Sequence, residues 1–343
     1  MNTSAPSDWL LYCRPGFERD CAEETGLQVI EAQPNSGFII VRGKLRVPFA
    51  QLVFARQRIR LVSKAEALPE RDRLTPLLAA LPDAPTAFSD LWLEVPDTNE
   101  GKTLSGFTKR FQLLLEARLH ETERLVNNSP APRLHIFFPD KTRALIGISD
   151  LRDSAAWPMG ILRLRMPVDA PSRSTLKLAE AFETLLSEEE RKQWLRSGMT
   201  AVDLGAAPGG WTWQLVMHGL KVQAVDNGPM KGSMALHPMV QHLRQDGFRY
   251  QPRRPVDWVV CDMVEQPSRV AALMARWIAS GMAQHTLFNL KLPMKKRLEA
   301  LEQAFDDIRN QMESAHIRYR LAAKQLYHDR EEVTVLLTKI KKR

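Results

Sequence analysis

The sequence predicts an α/β protein: a mostly parallel sheet covered by helices on both faces in the C-terminal half, preceded by smaller α+β units. Three observations predict it. From about Ser174 onward, apolar strand-like runs alternate with amphipathic helix-like runs, the pattern of repeated crossovers onto a parallel sheet. One of those strands, residues 201–204, runs through the glycine-rich turn 205–210 straight into a helix, which brings backbone amides close to a bound nucleotide. Before Trp157 the apolar period switches between two and 3.6 over short stretches, as it does in small mixed modules.

In chain order, a strand at 9–12, a short amphipathic helix at 17–25, a strand at 37–41, a helix near 48–54 and a strand at 59–63 form a unit consistent with a ferredoxin-like module over residues 1–60. A second unit, 61–160, follows with a helix at 70–81, an alternating strand at 91–95, a long helix at 103–120 and strands at 134–138 and 144–148. In the long helix Leu104, Phe107, Phe111, Leu114, Leu115 and Leu119 recur at helical spacing and predict one buried stripe. Neither unit contains a catalytic constellation, which predicts binding or positioning. Residues 157–171 carry three prolines and read as a connector, with 161–171 as the linker proper. Beyond it come a helix from Ser174, a strand at 201–204, a helix at 210–219, a strand at 222–225, a strand or short helix at 239–243, a strand at 256–260, a helix at 269–279, a strand at 286–290 and a helix at 295–313. Two strand-like runs, 317–325 and 333–339, predict a terminal antiparallel pair.

Composition narrows the functional classes. The net charge of +8, from 48 basic and 40 acidic residues, favours a polyanionic partner, because neutralising phosphates is the sequence-independent part of nucleic-acid affinity. Basic residues gather at Lys102, Lys109 and Arg110, at Arg163, Arg165 and Arg173, at Lys295, Lys296 and Arg297, and at Lys339, Lys341, Lys342 and Arg343. Each cluster alone reads equally well as a solvated face. No apolar run approaches the roughly 20 residues of a membrane span, and residues 1–7 lack a signal-peptide pattern, so a cytoplasmic protein is expected. Cys13, Cys21 and Cys261 are widely spaced and read as core residues rather than a zinc or disulfide set. No metal is expected, and a monomer is favoured.

The chemistry concentrates in Asp203-Leu204-Gly205-Ala206-Ala207-Pro208-Gly209-Gly210-Trp211. Pro208 has no amide hydrogen, which makes the turn a poor pyrophosphate cradle and disfavours a dinucleotide-dependent oxidoreductase. S-adenosylmethionine, with a carboxylate, a ribose and an adenine but no phosphate, fits better, with Ala207, Pro208, Gly209 and Gly210 beside it. Acidic residues at later strand ends agree. Asp226 would accept from two ribose hydroxyls, Asp246 from an adenine amino group, and Asp262 stands at the rim after the next strand. A single aspartate is ordinarily a cap or turn residue; three in succession at one edge predict a cofactor crevice.

The stretch Ser172-Arg173-Ser174-Thr175-Leu176-Lys177-Leu178, the turn from Asp203 to Trp211, and Asp262, Lys291 and Glu332 resemble the FtsJ-type RNA ribose 2′-O-methyltransferases. Further segments resemble a bacterial family of large-subunit rRNA methyltransferases across nearly the whole chain: Leu11-Tyr12-Cys13-Arg14-Pro15-Gly16-Phe17-Glu18, Asp97-Thr98-Asn99-Glu100, Val225-Asp226-Asn227-Gly228-Pro229-Met230, Phe288-Asn289-Leu290-Lys291-Leu292-Pro293-Met294 and Gln325-Leu326-Tyr327-His328-Asp329-Arg330-Glu331-Glu332. The resemblance implies a Rossmann-like, S-adenosylmethionine-dependent methyltransferase domain over 172–343, ferredoxin-like and THUMP RNA-binding modules before it, and a cytidine ribose of 23S rRNA as target. It also implies a Lys-Asp-Lys-Glu constellation of Lys177, Asp262, Lys291 and Glu332, and a cofactor contact for Ser174.

Lys291, just after an apolar strand, is the candidate general base, since burial or a neighbouring cation lowers a lysine pKa toward the useful range. Lys177 would hold the ribose or its phosphate, and Asp262 and Glu332 would orient the lysines. Each assignment has a plainer rival. Lys177 could pair at the surface with Glu180 or Glu183, Ser174 could be a helix N-cap, and Glu331 could replace Glu332, since the two point to opposite faces of a strand. An RNA-binding assembly factor with an inactive methyltransferase fold is the alternative function.

Overall fold

A computed structural model describes residues 6–340, and the chain divides into two compact units after Ile161. Residues 1–5 and the basic residues Lys341, Lys342 and Arg343 lie outside the described residues. Among the described residues no helix is long and apolar enough to cross a membrane. All three cysteines are free and buried.

The first unit is one seven-stranded sheet. Strands β1 (Ser7–Tyr12), β2 (Gln28–Glu31), β3 (Phe38–Gly43), β4 (Gln57–Ala65), β5 (Leu91–Glu94), β6 (Arg133–Phe137) and β7 (Ala144–Ser149) lie in the order β2-β3-β1-β4-β7-β6-β5. Only β5 and β6 are parallel neighbours. The boundary expected at residue 60 falls inside β4, which pairs with β1 on one side and β7 on the other. Leu10, Tyr12, Ile40 and Ile59 pack with Phe137 and Leu145 in one cluster, so the two expected modules share a sheet and an apolar layer.

Helices α1 (Glu18–Thr25), α2 (Leu74–Ala79) and α3 (Asn99–Glu121) complete the unit. The helix expected at 48–54 is a single 3₁₀ turn, Phe49–Gln51. The amides that would prolong it, those of Val53, Phe54 and Ala55, donate instead to the Glu24 carboxylate at 2.6–3.1 Å. Asp72 Oδ1 accepts from the Thr75 amide at 3.1 Å, which starts α2 later than expected. Thr98 caps α3 through the Gly101 amide at 3.0 Å, which starts that helix earlier. Its buried residues include Leu104, Thr108, Leu115 and Leu119. Leu114 is 52% exposed, because one residue step rotates it about 100° from Leu115. Strand β2, which the sequence analysis passes over, is an exposed edge strand with no burial alternation.

The start of the expected connector belongs to this unit. Glu94 is buried and accepts from Tyr12 Oη at 2.8 Å and from the Met159 amide at 2.5 Å, while His135 Nδ1 lies 2.8 Å from the same carboxylate. Gly160 passes so close to β4 that an added Cβ would lie 1.8 Å from the Arg56 carbonyl oxygen. A buried carboxylate without donors is costly, and residue 159 supplies one of them.

The second unit contains β8 (Thr200–Leu204), β9 (Lys221–Val225), β10 (Val240–Leu243), β11 (Val256–Cys261), β12 (Ala283–Lys291), β13 (Tyr319–Lys324) and β14 (Glu332–Lys339), in the order β10-β9-β8-β11-β12-β14-β13. The first five strands in that order are parallel; β14 runs antiparallel to both β12 and β13, as the terminal pair predicts. Helices are α4 (Thr175–Leu185), α5 (Glu188–Trp194), α6 (Gly210–Met217), α7 (Pro267–Ala279) and α8 (Arg297–Ser314). Leu178, Ala181 and Phe182 of α4 and Trp211, Leu215 and Val216 of α6 share a core with Ala224, Trp258, Val260 and Leu336 of the sheet. Helix α7 lies against β12 and β14, with α8 against α7. The chain leaves β8 toward β9 on one side and reaches β11 on the other, so strand order reverses at β8 and β11. A crevice opens above strand ends at such a point.

Gly147 of β7 sits where β4 and β7 join the two halves of the first sheet: an added Cβ would lie 2.4 Å from Ile59 Cγ2 and 2.8 Å from the Arg60 carbonyl oxygen. Gly147→Ala should therefore destabilise the protein by about 1–3 kcal/mol, the range for overpacking. Denaturant titration with a lowered midpoint is the expected result; an unchanged midpoint would mean the strands separate without strain.

Candidate active site

The turn after β8 depends on glycine at particular points. Gly205 (φ +77°) and Gly209 (φ +115°) adopt backbone angles that side chains disfavour. An added Cβ on Gly205 would lie 2.6 Å from Met263 Cγ, and one on Gly210 would lie 2.2 Å from Ser174 Oγ and 2.4 Å from Ser172 Oγ. The start of α6 is thus packed against the residues leading into α4. Between the glycines the Ala207–Pro208 bond is cis. The Ala207 amide donates to Asp226 Oδ2 at 3.0 Å and the Gly228 amide to Asp226 Oδ1 at 2.7 Å. Each carboxylate oxygen retains a further lone pair.

Asp226, Asp246 and Asp262 line one open cleft of about 390 Å³, together with Gly205, Gly247 and Met263. Among the described residues its lining contains no basic side chain. Asp246 also holds its own turn, accepting from the Phe248 amide at 2.9 Å. The other expected cofactor residues sit beside that lining rather than in it: Ala207 and Pro208 in the turn, Gly209 against Met230 and Met234, and Gly210 against the two serines. Ser174 is not a capping residue in the hydrogen-bond sense. Its hydroxyl lies 2.7 Å from Ser172 Oγ, and no α4 amide donates to it.

Lys177, Asp262, Lys291 and Glu332 meet in a ring of alternating charge. Lys177 Nζ is 3.4 Å from Asp262 Oδ2 and hydrogen-bonds Glu332 Oε1; Lys291 Nζ is 3.4 Å from Glu332 Oε2 and hydrogen-bonds Asp262 Oδ1. Four elements bring them together. Lys177 is in the first turn of α4, Asp262 follows β11, and Lys291 and Glu332 face each other across the β12–β14 register. Burial disfavours the Lys177 ammonium, but Asp262 and Glu332 outweigh it and hold its pKa above the ordinary lysine value. Surface pairing of Lys177 with Glu180 is excluded, because Glu180 accepts from the Tyr327 and His328 amides at 2.8 and 2.9 Å. Glu331 points outward to Arg297 at 2.8 Å, which decides for Glu332 as the inward residue.

The groups behind this ring stand outside the expected Lys-Asp-Lys-Glu constellation. Asn289 Nδ2 donates to Asp262 Oδ1 at 2.9 Å, and the Thr334 hydroxyl lies 2.7 Å from Asn289 Oδ1 and 3.0 Å from Asp329 Oδ2. Strand alternation was the available signal: Asn289 is two residues before Lys291, hence on the same face.

Beneath the turn, Asp203 is buried, and Thr212 Oγ1 donates to it at 2.7 Å. Burial pushes its carboxyl up to about 7. An acid with a raised folded pKa binds its proton more tightly in the folded state, so its contribution to stability falls as pH rises from about 4 toward 7. Asp203→Asn keeps an acceptor for Thr212 and removes the ionisation. The variant should unfold at a higher denaturant midpoint than the wild type at neutral and mildly alkaline pH, with the difference shrinking near pH 4; a gap independent of pH would place the effect elsewhere.

Residues 170–321 match the FtsJ-like methyltransferases. Residues 7–59 match the RlmM ferredoxin-like domain, and residues 72–150 the N-terminal region of ribosomal RNA large subunit methyltransferase M. The second unit accordingly has the S-adenosylmethionine-dependent methyltransferase fold that the sequence predicts, and the ferredoxin-like assignment holds. The ribosomal RNA large subunit methyltransferase M of Laribacter hongkongensis is 54% identical over 342 residues, covering 96% of this chain and 96% of its own. Its counterpart in Azoarcus sp. is 51% identical, covering 98% and 99%, and that in Thauera aminoaromatica is 49% identical, covering 95% and 94%. With identity near one half running through both units, the chain belongs to the ribosomal RNA large subunit methyltransferase M family.

Proposed function

We propose that the protein methylates the 2′ hydroxyl of a cytidine ribose in 23S rRNA, with S-adenosylmethionine as donor and Lys291 as general base. The observation that carries this reading is the alternating ring of Lys177, Asp262, Lys291 and Glu332 at the same sheet edge as the acidic cleft. The cleft chemistry fits this donor: its three carboxylates repel a pyrophosphate and suit hydroxyls, an amino group and a cation. S-adenosylmethionine supplies an electrophilic methyl group on a sulfonium centre. Asp226 accepts from the ribose hydroxyls, Asp246 from the adenine amino group, and the 207–210 turn with Ser174 completes the pocket.

Lys291 takes the 2′ proton as the oxygen becomes nucleophilic. Lys177, held as a cation, fixes the ribose or its phosphate, and Asp262 and Glu332 aim this ammonium and the Lys291 amine. Alignment of the acceptor oxygen supplies most of the acceleration. A general base must be unprotonated to accept the 2′ proton, so the rate should climb with pH. The first unit presents the RNA, with 61–160 acting as a THUMP-type module; the exposed Lys102, Lys109 and Arg110 of α3 support that role.

Transfer of labelled methyl to 23S rRNA from cells lacking the protein tests the activity, and mapping of the product should place one new 2′-O-methyl group on a cytidine. No transfer would favour the assembly-factor alternative. Asp226→Ala should weaken S-adenosylmethionine binding by about 1–3 kcal/mol, the cost of buried partners left unpaired; calorimetry giving unchanged affinity in a folded variant would remove Asp226 from the site. Lys291→Met should keep cofactor and RNA affinity yet lower the single-turnover rate by roughly 10²–10⁴-fold, as loss of a general base does. Near-normal rates under saturation would instead point to proton loss directly to water.

A further inference from the structure

Asp262 has to serve two lysines at once. Its Oδ1 takes Lys291 and its Oδ2 faces Lys177 at 3.4 Å, so a modest rotation of the carboxylate would exchange or break both contacts. One neutral donor opposes that rotation, Asn289 Nδ2, at 2.9 Å from Oδ1. Asn289 is fully buried on β12, and its amide is oriented in turn by Thr334, the residue directly opposite on β14.

Proton counting fixes the direction of this chain. The Thr334 hydroxyl has one hydrogen but two oxygen neighbours, Asn289 Oδ1 at 2.7 Å and Asp329 Oδ2 at 3.0 Å. Were Asp329 ionised, both would need the same proton. With Asp329 protonated on Oδ2, that hydroxyl donates to Thr334 while its oxygen accepts from the Leu326 amide at 3.0 Å, Thr334 donates to Asn289, and Asn289 donates to Asp262, so each of these contacts has its own proton. The surroundings favour the neutral acid. Asp329 is 1% exposed, and its Oδ1 has no hydrogen-bond partner. Burial, with Glu332 and Glu180 nearby, raises its carboxyl well above the usual range against the smaller opposing effects of the Leu326 amide hydrogen bond and Lys177.

Resting on the reading of Lys291 as the base, we propose that Asn289, locked by Thr334 and Asp329, is a positioning residue that aims Asp262 and limits its grip on the Lys291 proton. The amide N–H shares the charge of the oxygen that Lys291 also uses. Without it, Asp262 holds the ammonium more tightly, and the rise of rate with pH moves to higher pH.

The isosteric change Thr334→Val, which removes the hydroxyl, and Thr334→Ser, which keeps it, test this together, and Asn289→Ala tests it directly. Single-turnover methylation of 23S rRNA at saturating S-adenosylmethionine should slow in Asn289→Ala by roughly 10- to 100-fold at neutral pH, the scale of one hydrogen bond to a charged group. The rate–pH curve should move to higher pH while cofactor and RNA affinity hold. Thr334→Val should show a weaker form of the same defect, and Thr334→Ser should restore the wild-type curve. A Thr334→Val enzyme with the wild-type rate and curve would overturn the proposal, as would Thr334→Ser failing like valine, or cofactor affinity falling in parallel with rate. Failure of the underlying reading looks different: the wild type would not methylate, or Lys291→Met would retain its rate.

Discussion

The second unit is organised around the neutralisation of four charges in one small volume. Lys177, Asp262, Lys291 and Glu332 are each less than one-fifth exposed at the side chain, and removing one partner of such a partly buried set leaves another uncompensated. Each charge comes from a different element, so the ring constrains them all. Helix α4 must present its first turn to the sheet edge, β11 must end just before Asp262, and β12 and β14 must keep the register that sets Lys291 opposite Glu332. Glu180, buried on α4, ties down the loop before β14 by accepting the Tyr327 and His328 amides. The helix that supplies one lysine thus also fixes the strand that supplies one carboxylate.

The layers beneath are built to hold that edge still. Trp258 is fully buried, meets Phe182 edge-on at 5.7 Å and His285 at 4.7 Å, and donates its indole N–H to the Trp194 carbonyl at 2.6 Å. Burial pushes His285 down to about 4, so the ring is neutral at physiological pH and packs as an aromatic. On the cofactor side the close approaches at Gly205 and Gly210 replace side-chain volume with contact between turn, helix and neighbouring loop. A site with this much rigid support can spend little reorganisation on aligning a nucleophile.

The first unit obeys a different constraint. Its sheet runs unbroken from β2 to β5, and Glu94, Tyr12, His135 and the Met159 amide form a buried polar cluster joining residues from both expected modules. Their partners would be left unsatisfied if the chain were cut at residue 60. The family match nevertheless changes between residues 59 and 72, so sequence families and packing divide this half of the chain differently.

The α/β class, nearly every strand of the second unit and the four charged residues of the ring were legible in the chain, because strand alternation, the glycine turn and the FtsJ-type motifs are local signals. Helix α5, absent from the elements expected from the sequence, starts at a capping box in which Ser187 and Glu190 each accept from the other's backbone amide. Matters of long-range partnership were settled by the packed fold. Glu24 captured the amides that would have made a helix of 48–54. Glu331 turned out to Arg297 and left Glu332 facing in. Asn289, Thr334 and Asp329 acquired a role only when β12 and β14 came into register. No local pattern encodes such pairings, since each depends on which polar group, distant in the chain, arrives within hydrogen-bonding distance when the strands assemble.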